Sequence, residues 1–428
     1  MDDRARPGRR AAASASGADA RAIGTYVAVA AASLILSLLF LRAPGSDDVA
    51  EEFLPWMASL HDLGLGAGYE SWEDMYPPGV AILLNLADRL LPRAENFYVL
   101  SSLVGAAQLA AALLFAVHAR SLVLSLAFLA ATALSSSALM YLDVLYAVPL
   151  LVAFYASLDR RPTLAASAFA VACLIKWQPL ILLPFLAILW LDQAWARGPR
   201  HVVALILVPT LIAGGVAAFF WPASAEALFL ALEGDTWSGQ ALNLAWLAQI
   251  LYGKPPIALF FYMPHQEPWL LALKALFAAV YLPILVTAFL RYRRDPMAML
   301  TAAFAGFVAY FLLSASVHEN HLYVPTILGF VLWSRQPSFA PYAIAVATFS
   351  NLNLVLFYGL DGKPPFAPTP LFGLVTAALS LAALLASTLG LYHAFRCHPV
   401  FRLTQPVRTA AQHVNRTPLF TNSAKLKP

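Results

Sequence analysis

The chain has 428 residues, of which 61% are hydrophobic and only 12% are charged, and its mean hydropathy is +0.70. A soluble domain of this length needs far more polar surface, so the composition excludes that class and indicates a polytopic membrane protein. The apolar runs are long, whereas a β-barrel would show short alternating segments, so we expect an all-α fold. The sequence has only two cysteines, which excludes a disulfide framework.

The first predicted element is an Arg-, Ala- and Ser-rich segment, residues 1–22, for which we expect a disordered cytoplasmic tail. No small-residue cleavage site follows the next apolar run, so we interpret that run as a retained first span. Later apolar runs predict a bundle of about twelve transmembrane helices, within a range of about 10–13. The candidate spans are 23–42, 97–118, 121–138, 141–158, 163–177, 178–195, 202–221, 269–290, 297–315, 321–334, 338–357 and 370–391.

Arginines predict the orientation of these spans. With the N terminus in the cytoplasm, every second connection is internal and carries arginine, as the positive-inside rule requires. Most Asp and Glu then lie outside, many of them in a long segment at about 43–96. We expect this loop and a second external loop at about 222–268 to bear helices on the outer membrane face. The sequence thus predicts one transmembrane domain (23–392) and a basic cytoplasmic tail (393–428).

Polar and charged residues gather where the spans are predicted to end on the outer face. An ionisable residue in such an apolar setting needs a partner or a function, so these residues are candidates for a site. They are Asp47 and Asp48 in SDDVAEEFLPW (46–56), Tyr76 in MYPPG, Asp143 in MYLDVLY, Lys176 and Gln178 in CLIKWQPLILLP, Asn243 and Trp246 in SGQALNLAWL, and His318, Glu319 and His321 in SVHENHLYVP.

Each of these candidates also has a purely structural interpretation. Carboxylates in external loops are usually solvated, Lys176 could snorkel to the interface, and Asp143 could bond only within the bundle. His318 and His321 could form half a metal site, but a second cluster of matching ligands is absent. The sequence therefore establishes no cofactor with certainty, and a divalent metal could bind here but is not favoured.

On one membrane face these residue types favour a group transfer. A lysine and histidines suit a lipid phosphate, and a carboxylate suits a general base for a hydroxyl. Together they predict transfer from a phospholipid-like donor to an alcohol. No Walker A, GxGxxG or GxSxG pattern is present, so nucleotide-driven pumping and serine hydrolysis lack support. A transporter or flippase for a lipid-linked or sugar substrate is the alternative, although it would favour polar residues at the membrane midplane.

The motifs also carry a family resemblance. SDDVAEEFLPW followed by MYPPG is similar to the first external loop of the type-C (GT-C) glycosyltransferase superfamily. LIKWQPLILLP resembles the Lys-x-Gln-Pro segment of its mannosyl- and glucosyltransferase branch, and SGQALNLAWL resembles the Ser-x-x-Ala-x-Asn-Leu-x-Trp loop. VHENHLYVP is similar to the His-Glu-Lys-His motif of endoplasmic-reticulum members, with Asn320 where a basic residue is usual. The matches follow the family order from residue 46 to about 358.

The resemblance implies a GT-C-like bundle that transfers a hexose, mannose or glucose, with inversion, from a polyprenyl-phosphate monosaccharide. The acceptor would be a hydroxyl of a glycan, a lipid-linked or another molecule. Asp48, or alternatively Asp47, would be the general base on the extracytoplasmic face, and we expect a bacterial inner membrane. No nucleic-acid partner is expected, whereas contact with the lipid bilayer is expected. The implied donor residues are Lys176, Gln178, His318, Glu319 and His321, and the implied acceptor or loop residues are Tyr76, Asp143, Asn243 and Trp246.

Overall fold

The computed structural model describes residues 7–233, 237–251, 268–366 and 369–397. These residues are all-helical and contain no strand, as expected. The chain divides into two compact units, Met1–Leu385 and Ala386–Pro428. The predicted site residues all belong to the first unit. The α-helices are α1 Pro7–Leu39, α2 Leu54–Leu63, α3 Leu65–Glu70, α4 Pro78–Leu90, α5 Asn96–Ala119, α6 Leu122–Ala133, α7 Asp143–Leu158, α8 Pro162–Ile175, α9 Leu183–Trp195, α10 Pro199–Phe219, α11 Ala223–Glu233, α12 Leu244–Leu251, α13 Pro268–Tyr292, α14 Pro296–Leu313, α15 Tyr323–Arg335, α16 Ala340–Tyr358 and α17 Pro370–Cys397.

Eight helical segments of the described chain are long and apolar enough to cross a membrane, which is the pattern of a multi-pass membrane protein. The other predicted spans are also helical but shorter. Residues 122–138, 143–158 and 162–175 form apolar helices below spanning length, and α15 has 13 residues. The helical character of the predicted spans is therefore confirmed, while twelve crossings stay a prediction.

The predicted tails differ in how far the structure describes them. α1 begins at Pro7, so a helix occupies most of the segment for which the sequence predicted disorder. Alanine and arginine are strong helix formers, which explains a helix that continues outward from the apolar run. Of the predicted C-terminal tail, α17 reaches Cys397, and residues 398–428 lie outside the described part.

The two long predicted external loops are rich in short helices. Residues 43–96 contain a π-helical turn at Val49–Phe53 and then α2, α3 and α4, with α2 packed against α3 and α4. The second loop contains α11 and α12, and its residues 234–236 and 252–267 lie outside the described part. The positions of these helices on a membrane face stay a prediction.

The helices differ sharply in burial. In α14, 78% of the most apolar window is buried within the protein, whereas in α10 the buried share is 6%. α7 is also buried along most of its length and packs against α5, α8 and α15. A helix that is apolar on all sides yet exposed is suited to lipid, so α10 belongs to the periphery and α7 and α14 to the core.

A glycine permits the closest approach between the first loop and the bundle. Pro77 and Pro78 begin α4, and a Cβ atom at Gly79 would overlap the backbone carbonyl oxygen of Leu174 near the end of α8. Because backbone atoms cannot move aside as a flexible side chain can, only glycine fits here. This contact places Tyr76 beside Lys176, the residue that follows α8.

We expect Gly79→Ala to lower the apparent melting temperature of the detergent-purified protein by several degrees, since overpacking against backbone costs about 1–3 kcal/mol. Gly214→Ala, in α10, is the matched control, because no atom lies within 4 Å of the added Cβ there. Alanine is also the better helix former, so the control should be neutral or slightly stabilising. An equal response of the two variants would contradict the close approach.

Candidate functional site

A buried connector, residues 139–143, joins three of the predicted site segments. It follows a π-helical turn at Leu134–Ala138 and leads into α7. The Leu139 carbonyl accepts a hydrogen bond from the Ser46 N–H at 2.9 Å, and the Tyr141 hydroxyl donates to Glu319 Oε1 at 2.7 Å. Asp143, at its end, begins α7 and is fully buried. The connector therefore links the first loop to the His-Glu motif.

Asp143 and Lys176 form a buried ion pair. The Lys176 Nζ atom lies 3.1 Å from Asp143 Oδ1, and the two side chains are 9% and 0% exposed. Lys176 directly follows α8 in an extended conformation, which turns its side chain away from the helix axis. Its ammonium is therefore held by a carboxylate inside the protein and does not snorkel, and Asp143 is the partner of Lys176.

An aromatic wall lies next to this pair. Tyr76 is buried, and its hydroxyl accepts a hydrogen bond from Lys176 Nζ at 3.1 Å. Its ring contacts those of Trp56 and Phe53 with centroid distances of 5.0 and 6.2 Å. Trp72 stacks on Trp56 at 4.5 Å. The first loop thus presents a rigid apolar surface that shields the lysine from water.

The two adjacent acids of the first loop, Asp47 and Asp48, differ in burial. Asp47 is exposed, whereas Asp48 is half-buried and precedes the π-helical turn without capping it. Burial raises the pKa of Asp48 to about 6, and the neighbouring charge of Lys176 opposes that rise. A carboxylate with a raised pKa that still ionises at neutral pH suits a general base. Asp48 therefore differs from Asp47 in its burial, and the choice between them as a base stays a prediction.

Two further carboxylates, which were not selected from the sequence, lie in the same electrostatic environment. Burial raises the pKa of Glu52 to about 8, and the charges of Asp48 and Asp74 add to that rise. Burial also raises the pKa of Asp74. Glu51, which immediately precedes Glu52, is exposed. Glu52 lies four residues after Asp48, a helical spacing that could have indicated a shared face.

The His-Glu motif packs against the second loop through backbone hydrogen bonds. The Gly239 N–H donates to the Val317 carbonyl at 2.8 Å, and the Glu319 N–H donates to the Gly239 carbonyl at 3.0 Å. A Cβ at Gly239 would lie 2.5 Å from His318 Nδ1, so the imidazole rests directly on the glycine backbone. These contacts fix His318 and Glu319 after the end of α14.

The histidines of this motif lie beside a positive charge. Burial and the charge of Lys176 lower the pKa of His318 to about 4. The Tyr310 hydroxyl lies 3.2 Å from His321 Nδ1. Neutral imidazoles can still donate one N–H hydrogen bond to a ligand. Lys176 is then the cation of this cluster.

Glu319 has the opposite shift. Burial raises its pKa to about 8, the nearby Asp48 charge adds to the rise, and the hydrogen bond from Tyr141 opposes it. Oε2 of Glu319 is buried and accepts no hydrogen bond from another side chain in the described residues. At pH 7 this group is largely protonated, so it can donate a hydrogen bond.

Asn243 and Trp246 brace the second loop. The Asn243 amide donates to the Phe311 carbonyl at 3.1 Å, and its Oδ1 atom accepts from the Trp246 N–H at 2.9 Å. Trp246 is buried against Phe357 at a centroid distance of 5.0 Å. Their described contacts are therefore structural, and the acceptor role implied by the resemblance gains no support from them.

Asn353 was missed in the sequence, although a buried amide in an apolar helix is a recognisable signal. Its Oδ1 atom accepts a hydrogen bond from the Leu242 N–H at 2.8 Å. Its Nδ2 atom donates to the Gln240 and Glu319 carbonyls, both at 3.3 Å. Asn353 on α16 therefore ties the second loop to the His-Glu motif.

Gln178 is another of the predicted donor residues. Gln178 begins a 3-10 turn at Gln178–Leu182, and its Oε1 atom is buried without a hydrogen-bond partner among the described residues. A buried acceptor of this kind is available to a ligand donor. The described part of the chain has no group of three or more His, Cys, Asp or Glu that could hold a metal ion.

Comparison of the chain with protein-family models and with curated proteins found no match. The type-C resemblance therefore stays a prediction that rests on the ordered motifs of the sequence. The structure adds that Asp48, Lys176 and Glu319, which are distant in the sequence, interact electrostatically with one another.

We expect Lys176→Met to destabilise the protein strongly, because it leaves the Asp143 carboxylate buried and unpaired, at a cost of about 3–5 kcal/mol. The double variant Lys176→Met/Asp143→Asn removes both charges and should recover much of the lost thermal stability in detergent. Arg335→Met is the control, since Arg335 pairs with Asp159 at 3.7 Å in an exposed setting and such pairs contribute about 0–1 kcal/mol. Additive losses in the double variant would contradict a direct ion pair.

Proposed function

We propose that the protein is an integral-membrane glycosyltransferase. It transfers a hexose, mannose or glucose, from a polyprenyl-phosphate monosaccharide to a hydroxyl acceptor on the extracytoplasmic face, in a bacterial inner membrane. The observation that carries this proposal is the electrostatic cluster of a carboxylate (Asp48), a buried ammonium (Lys176) and the His318–His321 motif. These are the groups that a base-assisted displacement of a phosphate requires.

In the proposed reaction, Asp48 accepts the proton of the acceptor hydroxyl. The acceptor oxygen then forms a bond to the anomeric carbon of the sugar, and the bond from that carbon to the phosphate oxygen breaks. The polyprenyl phosphate leaves with the electron pair, and attack from the opposite face inverts the anomeric configuration. The pKa of about 6 makes Asp48 a stronger base than an exposed aspartate, yet leaves it mostly ionised at pH 7.

Charge that develops on the leaving phosphate needs stabilisation in a region of low dielectric. Lys176 supplies the positive charge, and the phosphate would share its ammonium with Asp143, which lies 3.1 Å away. His318 and His321 act as neutral hydrogen-bond donors. Glu319, protonated at pH 7, adds a donor that a carboxylate would not offer. These neutral donors supplement Lys176, so a single lysine can stabilise the leaving phosphate although several acids lie nearby.

A transporter or flippase is the competing function. Such a protein would place ionisable groups near the membrane midplane and in broken helices of corresponding halves. Here Asp143 begins α7, Lys176 follows α8, and Glu319 lies between α14 and α15. The charged residues therefore lie at helix ends, which favours an interfacial reaction.

We expect Asp48→Asn to reduce turnover by about 100-fold or more, because the amide keeps the size of the side chain but cannot accept the proton. The assay incubates purified protein with a panel of polyprenyl-phosphate monosaccharides and measures release of the free polyprenyl phosphate. Asp47→Asn is the control and should retain activity, since Asp47 is exposed. Full activity of the double variant Asp47→Asn/Asp48→Asn would remove the proposed mechanism and favour the transporter.

The pH dependence of kcat/KM distinguishes the carboxylates. A base works when deprotonated, so activity should rise as the pH increases through about 6, the pKa of Asp48. A donor works when protonated, so activity should fall as the pH passes about 8, the pKa of Glu319. Glu319→Gln keeps a donor without titrating and should remove the decline at high pH. An activity rise centred near 8 would instead identify Glu52 as the base.

A further inference from the structure

A second charged cluster lies at the other end of α7 from the candidate site. Asp143 is the first residue of α7, and Arg160 lies two residues after its last residue, Leu158. A helix of this length separates its ends by about 24 Å. The cluster surrounds a cavity of about 580 Å³, which we term the basic cleft, lined by Arg160, Asp192, Gln193, Trp195, Arg197 and Arg294. A volume of this size is within the range of ligand pockets.

The floor of the basic cleft is fixed by buried hydrogen bonds between α7 and α9. Gln193 Nε2 donates to the Ser157 carbonyl at 3.0 Å, and Trp190 Nε1 donates to Ser157 Oγ at 2.8 Å. Gln193 itself is 8% exposed. The cleft therefore has a preformed base, and its arginines come from three separate connections between helices.

The cleft has an excess of positive charge. Asp192 is its one lining carboxylate, and Arg293 and Arg294 both approach Asp192 Oδ1 at 3.7 Å. That distance exceeds a hydrogen bond, and exposed pairs of this kind hold their partners weakly. The guanidinium groups therefore keep N–H donors for a ligand, and planar guanidinium groups suit the oxygens of a phosphate.

Exposed apolar residues occur on the helices whose ends contribute to the cleft. Trp195 is 78% exposed at the end of α9, a position typical of an anchor at the membrane interface. Leu191, one turn earlier on α9, and Leu290, near the end of α13, are 45% and 71% exposed. A ligand with a phosphate and acyl chains would place its phosphate on the arginines and its acyl chains along Leu191 and Leu290.

We propose that the basic cleft binds an anionic phospholipid through its headgroup phosphate. In the predicted topology the cleft lies on the cytoplasmic side, where anionic headgroups attract basic residues. Simple positive-inside arginines need no cavity, whereas here three arginines from different connections share one preformed cleft beside exposed apolar residues. The lipid would hold the ends of α7, α9 and α13 together, independently of the transferase activity.

Isothermal titration of the detergent-purified full-length protein tests this site. The probes are dihexanoyl phosphatidylglycerol, dihexanoyl phosphatidylcholine as the zwitterionic reference, and inorganic phosphate. The test variant is Arg160→Gln/Arg197→Gln. Its matched control, Arg161→Gln/Arg200→Gln, removes the same charge from exposed neighbours that do not line the cleft.

We expect the native protein to bind the phosphatidylglycerol at least about tenfold more tightly than either other probe, and we expect the test variant to lose about tenfold or more in affinity. The control variant should bind as the native protein does. Equal losses in both variants would reduce the effect to general surface charge and overturn the proposal. Equal binding of inorganic phosphate and phosphatidylglycerol would overturn the assignment to a lipid.

Discussion

The buried ion pair between Asp143 and Lys176 is the constraint around which the candidate site is arranged. Each charge alone would be costly in this environment, and the contact at 3.1 Å compensates both. The pair ties the start of α7 to the residue after α8, so it fixes where these adjacent helices end on one face. Tyr76 is uncharged and accepts a hydrogen bond from Lys176, and this contact connects the ion pair to the first loop.

Burial shifts the pKa values of the groups around Lys176, and the positive charge of Lys176 modifies each shift. Lys176 moderates the effect of burial on Asp48, which keeps a carboxylate there ionisable near neutral pH. The same charge, added to burial, keeps His318 neutral. Glu319 lies farther along the chain and is pushed toward its protonated form by burial and by Asp48. A single lysine thus lowers the pKa of nearby acids and of nearby imidazoles, which favours the ionised form of a carboxylate and the neutral form of an imidazole.

Some polar residues that contact no charged side chain form hydrogen bonds to the backbone around the site. Asn243 caps the turn into α12 and holds the end of α14, and Asn353 connects the second loop to the backbone of Glu319. Such amides satisfy backbone groups that an apolar environment cannot. A polar residue in an apolar segment therefore indicated importance in the sequence, but not whether the residue supports the site or belongs to it.

Some site features were predictable from local pattern. Lys176 was selected because it is embedded among apolar residues, and the structure gives it a buried carboxylate partner. Asp48 was preferred to Asp47 on the family resemblance, and Asp48 is the more buried of the two. Glu52 was not separated from Glu51 in the sequence, although its helical spacing from Asp48 could have indicated a shared face.

The sequence by itself determined the all-helical class, the multi-pass character and the approximate bounds of the helices, because hydrophobicity and helix propensity act over local windows. Only the tertiary structure decided that Asp143 pairs with Lys176, that burial lowers the pKa of His318 and that Asn353 supports the motif. These properties depend on burial and on distances between residues far apart in the chain. No local pattern encodes the dielectric environment that a side chain meets once α7, α8 and α14 have packed together.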